Sequence, residues 1–227
     1  GKGTLPSSSS NVTLRSDKFG TYTSTLQTTG TLTVEPFNSS FATALTYPLT
    51  NLSVVSGLSG LTVGKSGNTA NITLSTAQSI AGPISVYGGN ITVNQNYSST
   101  LNSAAILLQS SQTIEIAASK IIQTNGGTIT LRSNSTGAAL AAASSIILNS
   151  GSTLSSQGGN ITLGGNFTGL QGAGLYATSS NAPAVLIDGG ILTAGGGNIK
   201  IYGKCSGSYD DGIRLRGNIT TSGSGNV

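Results

Sequence analysis

Six copies of one short unit punctuate the chain: Asn71-Ile-Thr-Leu, Asn90-Ile-Thr-Val, Thr128-Ile-Thr-Leu, Asn160-Ile-Thr-Leu, Asn198-Ile-Lys-Ile and Asn218-Ile-Thr-Thr. Four of them directly follow a Gly-Gly pair. Their starts lie 19, 38, 32, 38 and 20 residues apart, and 38 is twice 19, so the spacing predicts a coil of about 19 residues with one irregular interval. Thr113-Ile-Glu-Ile and Asp188-Gly-Gly-Ile-Leu carry a similar turn-then-strand pattern and are expected to fill the unmarked half-way coils.

Each unit reads as a glycine turn followed by a short alternating strand. Ile72 and Leu74, Ile91 and Val93, Ile161 and Leu163, and Ile199 and Ile201 point one way, and the Thr or Lys between them points the other. One face is therefore buried and the other wet. Dense β-branched residues, short periodic runs and constant interruption by Gly, Asn and Ser argue against helix. The one helix-like stretch, Gly137-Ala-Ala-Leu-Ala-Ala-Ala-Ser144, lacks charged i,i+4 support and runs straight into Ser145-Ile-Ile-Leu.

Short strands at a fixed period suit a sandwich, a barrel or a solenoid. Repetition favours the solenoid, in which matching positions stack in identical surroundings coil after coil. Asn at a corner tolerates left-handed backbone angles and passes a side-chain hydrogen bond to the next coil, while Gly-Gly supplies positive φ. Three strands and three corners use about 19 residues, so a triangular cross-section is expected, with ten or so coils making a rod on the order of 50 Å long. The fold expected is all-β, a parallel β-helix. The expected structural stack comprises Asn71, Ile72, Asn90, Ile91, Ile129, Asn160, Ile161, Asn198, Ile199, Asn218 and Ile219.

Composition narrows the chemistry. No histidine occurs in the 227 residues, which excludes Ser-His-Asp and Cys-His triads and histidine metal sites within this chain. The six acids are Asp17, Glu35, Glu115, Asp188, Asp210 and Asp211, and the ten bases are scattered, so a net charge of +4 forms no patch for phosphates. Neither nucleic acid nor any cofactor is expected. No apolar run is long enough to span a membrane. The single cysteine, Cys205, has no partner for an internal disulfide.

The Gly-Gly-Asn-Ile-Thr-Leu units, the stretch Ser150-Gly-Ser-Thr-Leu-Ser-Ser-Gln-Gly-Gly-Asn160-Ile-Thr-Leu and the ending Gly217-Asn-Ile-Thr-Thr-Ser-Gly-Ser-Gly-Asn-Val227 resemble the filamentous-haemagglutinin-like and β-strand-repeat giant surface proteins of bacteria. The likeness covers about residues 60 to 227 and is one of repeat style. It implies a right-handed parallel β-helix forming the shaft of a secreted adhesin or surface filament. It brings no catalytic residues.

Residues 1–60 depart from the pattern, and 61–227 carry the regular repeats. Val12-Thr-Leu, Gly30-Thr-Leu-Thr-Val and Leu52-Ser-Val-Val still read as coil strands. The segment from Glu35 to Pro48 holds two of the four Phe and two of the five Pro; Pro36 and Pro48 cannot donate in a ladder, so 36–48 is expected to leave the helix as a loop whose aromatics cover the coil beneath. Gly169 to Pro183 is expected to form a longer excursion that accounts for one doubled interval.

Two chemical motifs are imitated by the repeat. Gly60-Leu-Thr-Val-Gly64-Lys65-Ser66 resembles a phosphate loop, yet three residues separate its glycines where four are needed and no helix can follow. Ten Asn-x-Ser/Thr sequons, at Asn11, Asn38, Asn51, Asn71, Asn90, Asn96, Asn134, Asn160, Asn166 and Asn218, invite a glycoprotein reading, but a corner Asn followed by a strand Thr writes the same string.

Tyr209-Asp210-Asp211-Gly-Ile-Arg214-Leu-Arg216 is the only charge-dense stretch. As a ligand site, Tyr209, Asp210, Asp211, Arg214 and Arg216 would suit a carbohydrate-binding or carbohydrate-active β-helix, whose lyases and hydrolases use paired carboxylates or Ca²⁺ with a basic residue. Against this, Asp210 and Asp211 project to opposite sides of an extended strand, and the Gly-His-Gly shared by hydrolases of this shape is missing. A salt-bridged surface turn is the simpler expectation.

The sequence thus points to a non-enzymatic rod, bacterial and extracellular, with no metal. Its partners are expected to be further coils of the same chain or neighbouring subunits in a filament, with surface glycans as outside ligands. The expectation extends to the chain being a piece of something longer, since Gly217 to Val227 stops half-way through a unit and Gly1-Lys-Gly-Thr-Leu-Pro offers neither initiator Met nor signal sequence.

Overall fold

The computed structural model describes residues 9–54, 57–134, 144–164, 183–203 and 211–227. Three parallel sheets carry nearly all the strands. The first sheet has eight: Val12–Arg15, Thr31–Glu35, Gly60–Val63, Ile84–Gly88, Ile106–Ser110, Ile129–Arg132, Ile161–Leu163 and Ile199–Ile201. The second has seven: Leu45–Tyr47, Ile72–Leu74, Ile91–Val93, Ile114–Ile116, Ile146–Leu148, Val185–Ile187 and Ile213–Leu215. The third has six: Gln78–Ile80, Tyr97–Asn102, Ile121–Asn125, Thr153–Ser155, Ile191–Thr193 and Asn218–Thr220. A short pair, Thr25–Leu26 with Ser53–Val54, takes the third position in the two earliest coils. No helix occurs among the described residues.

From Gly60 onward the chain visits the first, second and third sheets in strict rotation. This is a three-sided parallel β-helix of eight coils, with the triangular section the spacing predicts. At roughly 4.8 Å per coil its axis is about 35 Å long.

A parallel sheet is ordinarily covered on both faces and reads as unbroken apolar sequence. Here each sheet is covered only from within the prism, so its strands alternate. Ile72, Leu74, Ile91, Val93, Ile161 and Leu163 are buried while Thr73, Thr92 and Thr162 are only partly covered, as the two-residue period requires. Ile201, by contrast, is half-buried. The core is a set of columns: Leu32, Leu61, Ile84, Ile106, Ile129, Ile161 and Ile199 stand in register on the first sheet, and Leu45, Ile72, Ile91, Ile114, Ile146 and Val185 on the second. Each fully buried aliphatic side chain contributes about 1.5–3 kcal/mol of apolar transfer, so these columns are the main source of the prism's stability.

The coil length differs from expectation. Ile91 stands 19 residues after its partner Ile72, but Ile161 stands 32 after Ile129 and Ile199 stands 38 after Ile161, each pair in adjacent coils. The interval of 38 is one long coil. Asp188-Gly-Gly-Ile-Leu is therefore no half-way coil, because Ile191–Thr193 is the third side of the coil that Ile199–Ile201 follows. Ile91 and Ile129 are also 38 apart in sequence but lie on different sheets. The six repeat units mark two second-sheet strands, three first-sheet strands and one third-sheet strand, since any strand entered from a sharp corner meets the same demands.

The variation in coil length has one source. Connections from the second sheet to the third, and from the third back to the first, are uniformly short from Gly60 onward. The corner from first to second sheet is residues 64–71 in one coil, 89–90 and 111–113 in the next two, then 133–145, 164–184 and 202–212. The early segment 36–44 leaves the prism at this same corner. The loop expected over 36–48 is shorter than that, because Leu45–Tyr47 pairs with Ile72–Leu74 as an ordinary second-sheet strand. The expectations for Gly137 to Ala143, for the excursion from Gly169 as far as Ala182, for Asn166 and for Cys205 fall outside the described residues.

Candidate functional site

Side-chain carboxamides join coil to coil at the corners of the prism. Asn71 Oδ1 accepts from the backbone N–H of Asn90 at 2.9 Å, and Asn90 Oδ1 from that of Thr113 at 3.1 Å. Asn160 Oδ1 accepts from Asn198 N–H at 2.8 Å, and Asn198 Oδ1 from Asn226 N–H at 2.9 Å. Asn11 does the same for Thr31, and Asn96 for Ile121, both at 2.9 Å. These carboxamides extend the backbone ladder by one rung at the corner, where no strand partner is in line. Asn218 is exposed, and Ile219 stands half-buried on Leu192. Among the described residues the left-handed Asn are Asn51 and Asn134, neither of which is a ladder member.

The paired glycines serve two purposes. Gly158 has φ of 116° and turns the corner. Gly159 is required for space, since a Cβ there would sit 2.1 Å from the carbonyl oxygen of Gly127 in the coil below. An inward hydroxyl completes each corner: Thr124 Oγ1 donates to Gly127 O at 2.6 Å, and Ser156 Oγ to Gly159 O at 2.5 Å. Both are fully buried. Sequence reasoning missed these hydroxyls, whose signal is a Ser or Thr three residues before the second glycine.

Every described carboxylate has its own partner. Glu35 is bound by Arg15 of the preceding coil, with Nε 2.6 Å away. Glu115 Oε1 accepts from Asn149 Nδ2 at 2.9 Å. In the charge-dense stretch, Arg214 Nε lies 2.9 Å from Asp211 Oδ2, and Arg216 reaches Asp188 of the coil beneath at 3.7 Å. All four side chains are partly or largely exposed, so the two pairs contribute about 0–1 kcal/mol each. Tyr209 and Asp210 fall outside the described residues. Among the described residues no three His, Cys, Asp or Glu side chains gather where a metal could be held.

The segment 36–44 is fixed from below and above. Asp17 Oδ1 accepts from Asn38 N–H at 2.7 Å, and its other oxygen takes the Asn38 side-chain amide. Lys65 Nζ donates to the carbonyls of Pro36 and Phe37 at 3.1 and 3.2 Å. The lysine of the phosphate-loop look-alike is thus a clamp. Buried Asn68 accepts from Ser40 Oγ and Phe41 N–H, and donates to Tyr87 O at 2.7 Å. Of the two loop aromatics, Phe41 packs as expected and meets Phe19 edge-on with centroids 6.0 Å apart. Phe37 stands 70% exposed, so it does not cover the coil.

Several buried side-chain polar atoms have no hydrogen-bond partner among the described residues, and two of them are the phenol hydroxyls of Tyr47 and Tyr97. Burial pushes both phenols far above their ordinary range, and for Tyr97 the neighbouring Tyr47 adds to the rise.

No family model matches the chain, and no curated protein or solved structure is similar to it.

Proposed function

We propose that this chain is a structural segment of a secreted bacterial surface adhesin or extracellular filament, whose work is to hold reach and stiffness rather than to catalyse. The observation that carries the reading is the unbroken axial register: eight first-sheet strands stack in line, with apolar columns inside and asparagine rungs at the corners. Backbone hydrogen bonds along the axis and a continuous core make bending costly, which is what a shaft requires. The single engagement of each described carboxylate supports the non-enzymatic side of the proposal, because polysaccharide cleavage needs acids that converge on one bond. Its partners in this reading are adjoining coils or subunits, with adhesive surfaces carried on the shaft. The test is immunogold labelling of thin-sectioned producing cells with antibody to the purified chain. Label along surface fibres is expected, and label confined to the cytoplasm overturns the proposal.

A further inference from the structure

The segment 36–44 leaves the prism between the first and second sheets, and it is held by hydrogen bonds to Asp17, Lys65 and Asn68. Such anchoring does not cover the coil beneath completely. A cleft of about 170 Å³ remains where the segment folds back over the turn that follows Val12–Arg15. Phe19 and the buried Phe41 form its apolar wall. Asp17, Lys18, Thr43 and Thr46 line it with one carboxylate, one ammonium and two hydroxyls.

We propose that this cleft binds a single sugar ring, as the terminal residue of a surface glycan. The volume is close to the roughly 150 Å³ of a cavity that takes up one benzene ring, which suits one pyranose and little more. The lining is amphiphilic in the way a sugar is: aromatic carbon for the C–H face, and donors and acceptors for the hydroxyl edge. Each Asp17 oxygen accepts one bond from Asn38 and keeps a further lone pair for a ligand hydroxyl. One carboxylate beside one ammonium gives no net field, which disfavours phosphate and polyanions. Because the walls are tied to three coils, the cleft is preformed and loses little entropy on binding. The inference goes beyond the shaft reading, and a failure to bind sugar leaves that reading untouched.

The experiment is a ligand-observed NMR titration of the whole chain against neutral hexoses, N-acetylhexosamines, sialic acid and uronic acids. At about 0.3 kcal/mol per non-hydrogen atom, one ring should bind with a Kd of a few millimolar. Thr43→Val with Thr46→Val, both exposed positions, should weaken binding about tenfold without moving Tm. Phe19→Leu, which keeps apolar bulk, should remove the ring-stacking contribution and weaken binding again. A chain that binds none of these sugars at about ten times that Kd overturns the proposal. So does one that binds equally well after the rim substitutions at unchanged Tm.

Discussion

The side-chain oxygen of Asn160 sits 2.8 Å from the backbone nitrogen of Asn198, although 38 residues separate the two in sequence. That oxygen replaces a strand carbonyl at a corner where none is in line. Asn160→Leu should therefore cost about 1 kcal/mol, and more if the Asn198 N–H is left without water. Asn160→Asp keeps an acceptor and should cost clearly less. Urea unfolding of the two variants checks this, and equal losses would remove the rung from the account of stability.

Ile161 is buried between Ile129 and Ile199, whereas Thr162 faces outward. Ile161→Asp places a charge in the apolar column and should destabilise by about 4 kcal/mol or more. Thr162→Asp should stay within about 0.5 kcal/mol. Thermal melts of both variants read the difference.

Two glycines separate the demands of space and dihedral angle. Gly67 has φ of 90° and open space around it, so Gly67→Ala should cost about 1 kcal/mol of backbone strain. Gly159→Ala drives a methyl against the Gly127 carbonyl and should cost about 3 kcal/mol or more. Similar losses at the two positions would contradict the close approach of the coils.

The buried phenols give a pH dependence with a definite sign. Both Tyr47 and Tyr97 have folded-state pKa values raised by burial above the ordinary phenol value of about 10. Below pH 10 neither contributes a slope. Above it the unfolded chain releases protons that the folded chain retains, so stability falls by about 1.4 kcal/mol per pH unit for each phenol. Tyr47→Phe with Tyr97→Phe should flatten the alkaline limb, and it should cost little at neutral pH because neither hydroxyl has a partner among the described residues. Denaturant unfolding between about pH 9 and 12 measures it.

Against a panel of acidic polysaccharides the chain should show no turnover, and Asp210→Asn with Asp211→Asn should change nothing. Loss of the Asp211 contact to Arg214 should move Tm very little, since the pair is exposed. Turnover by the parent chain that the double variant loses would convert the proposal into a carbohydrate-active one.

The fold was legible because stacking imposes the same chemistry at the same place. Ile72, Ile91 and Ile161 announce buried strand positions, and the glycines before them announce corners. The coil length was not legible, because a corner unit looks alike on all three sheets and the first-to-second corner varies in length without leaving a mark in the strands. The inward hydroxyls of Thr124 and Ser156 escaped notice since Ser and Thr abound on the outside as well. Leu45–Tyr47 was masked by Pro48, which follows the strand and interrupts none of its pairing. Asp17 was known only as an isolated acid, and its place against Asn38 depends on a coil-to-coil contact between residues 21 apart.

The confinement of length variation to one corner has an evolutionary reading. Residues gained or lost between the first and second sheets leave the apolar columns in place, because the next strand re-enters at the same register whether the connection is 89–90 or 164–184. Two edges of the prism are held to short connections by mechanics, and the third tolerates insertion. A peptide grafted there would be displayed outward at a fixed height, and a lineage could exchange what that edge carries without rebuilding the scaffold.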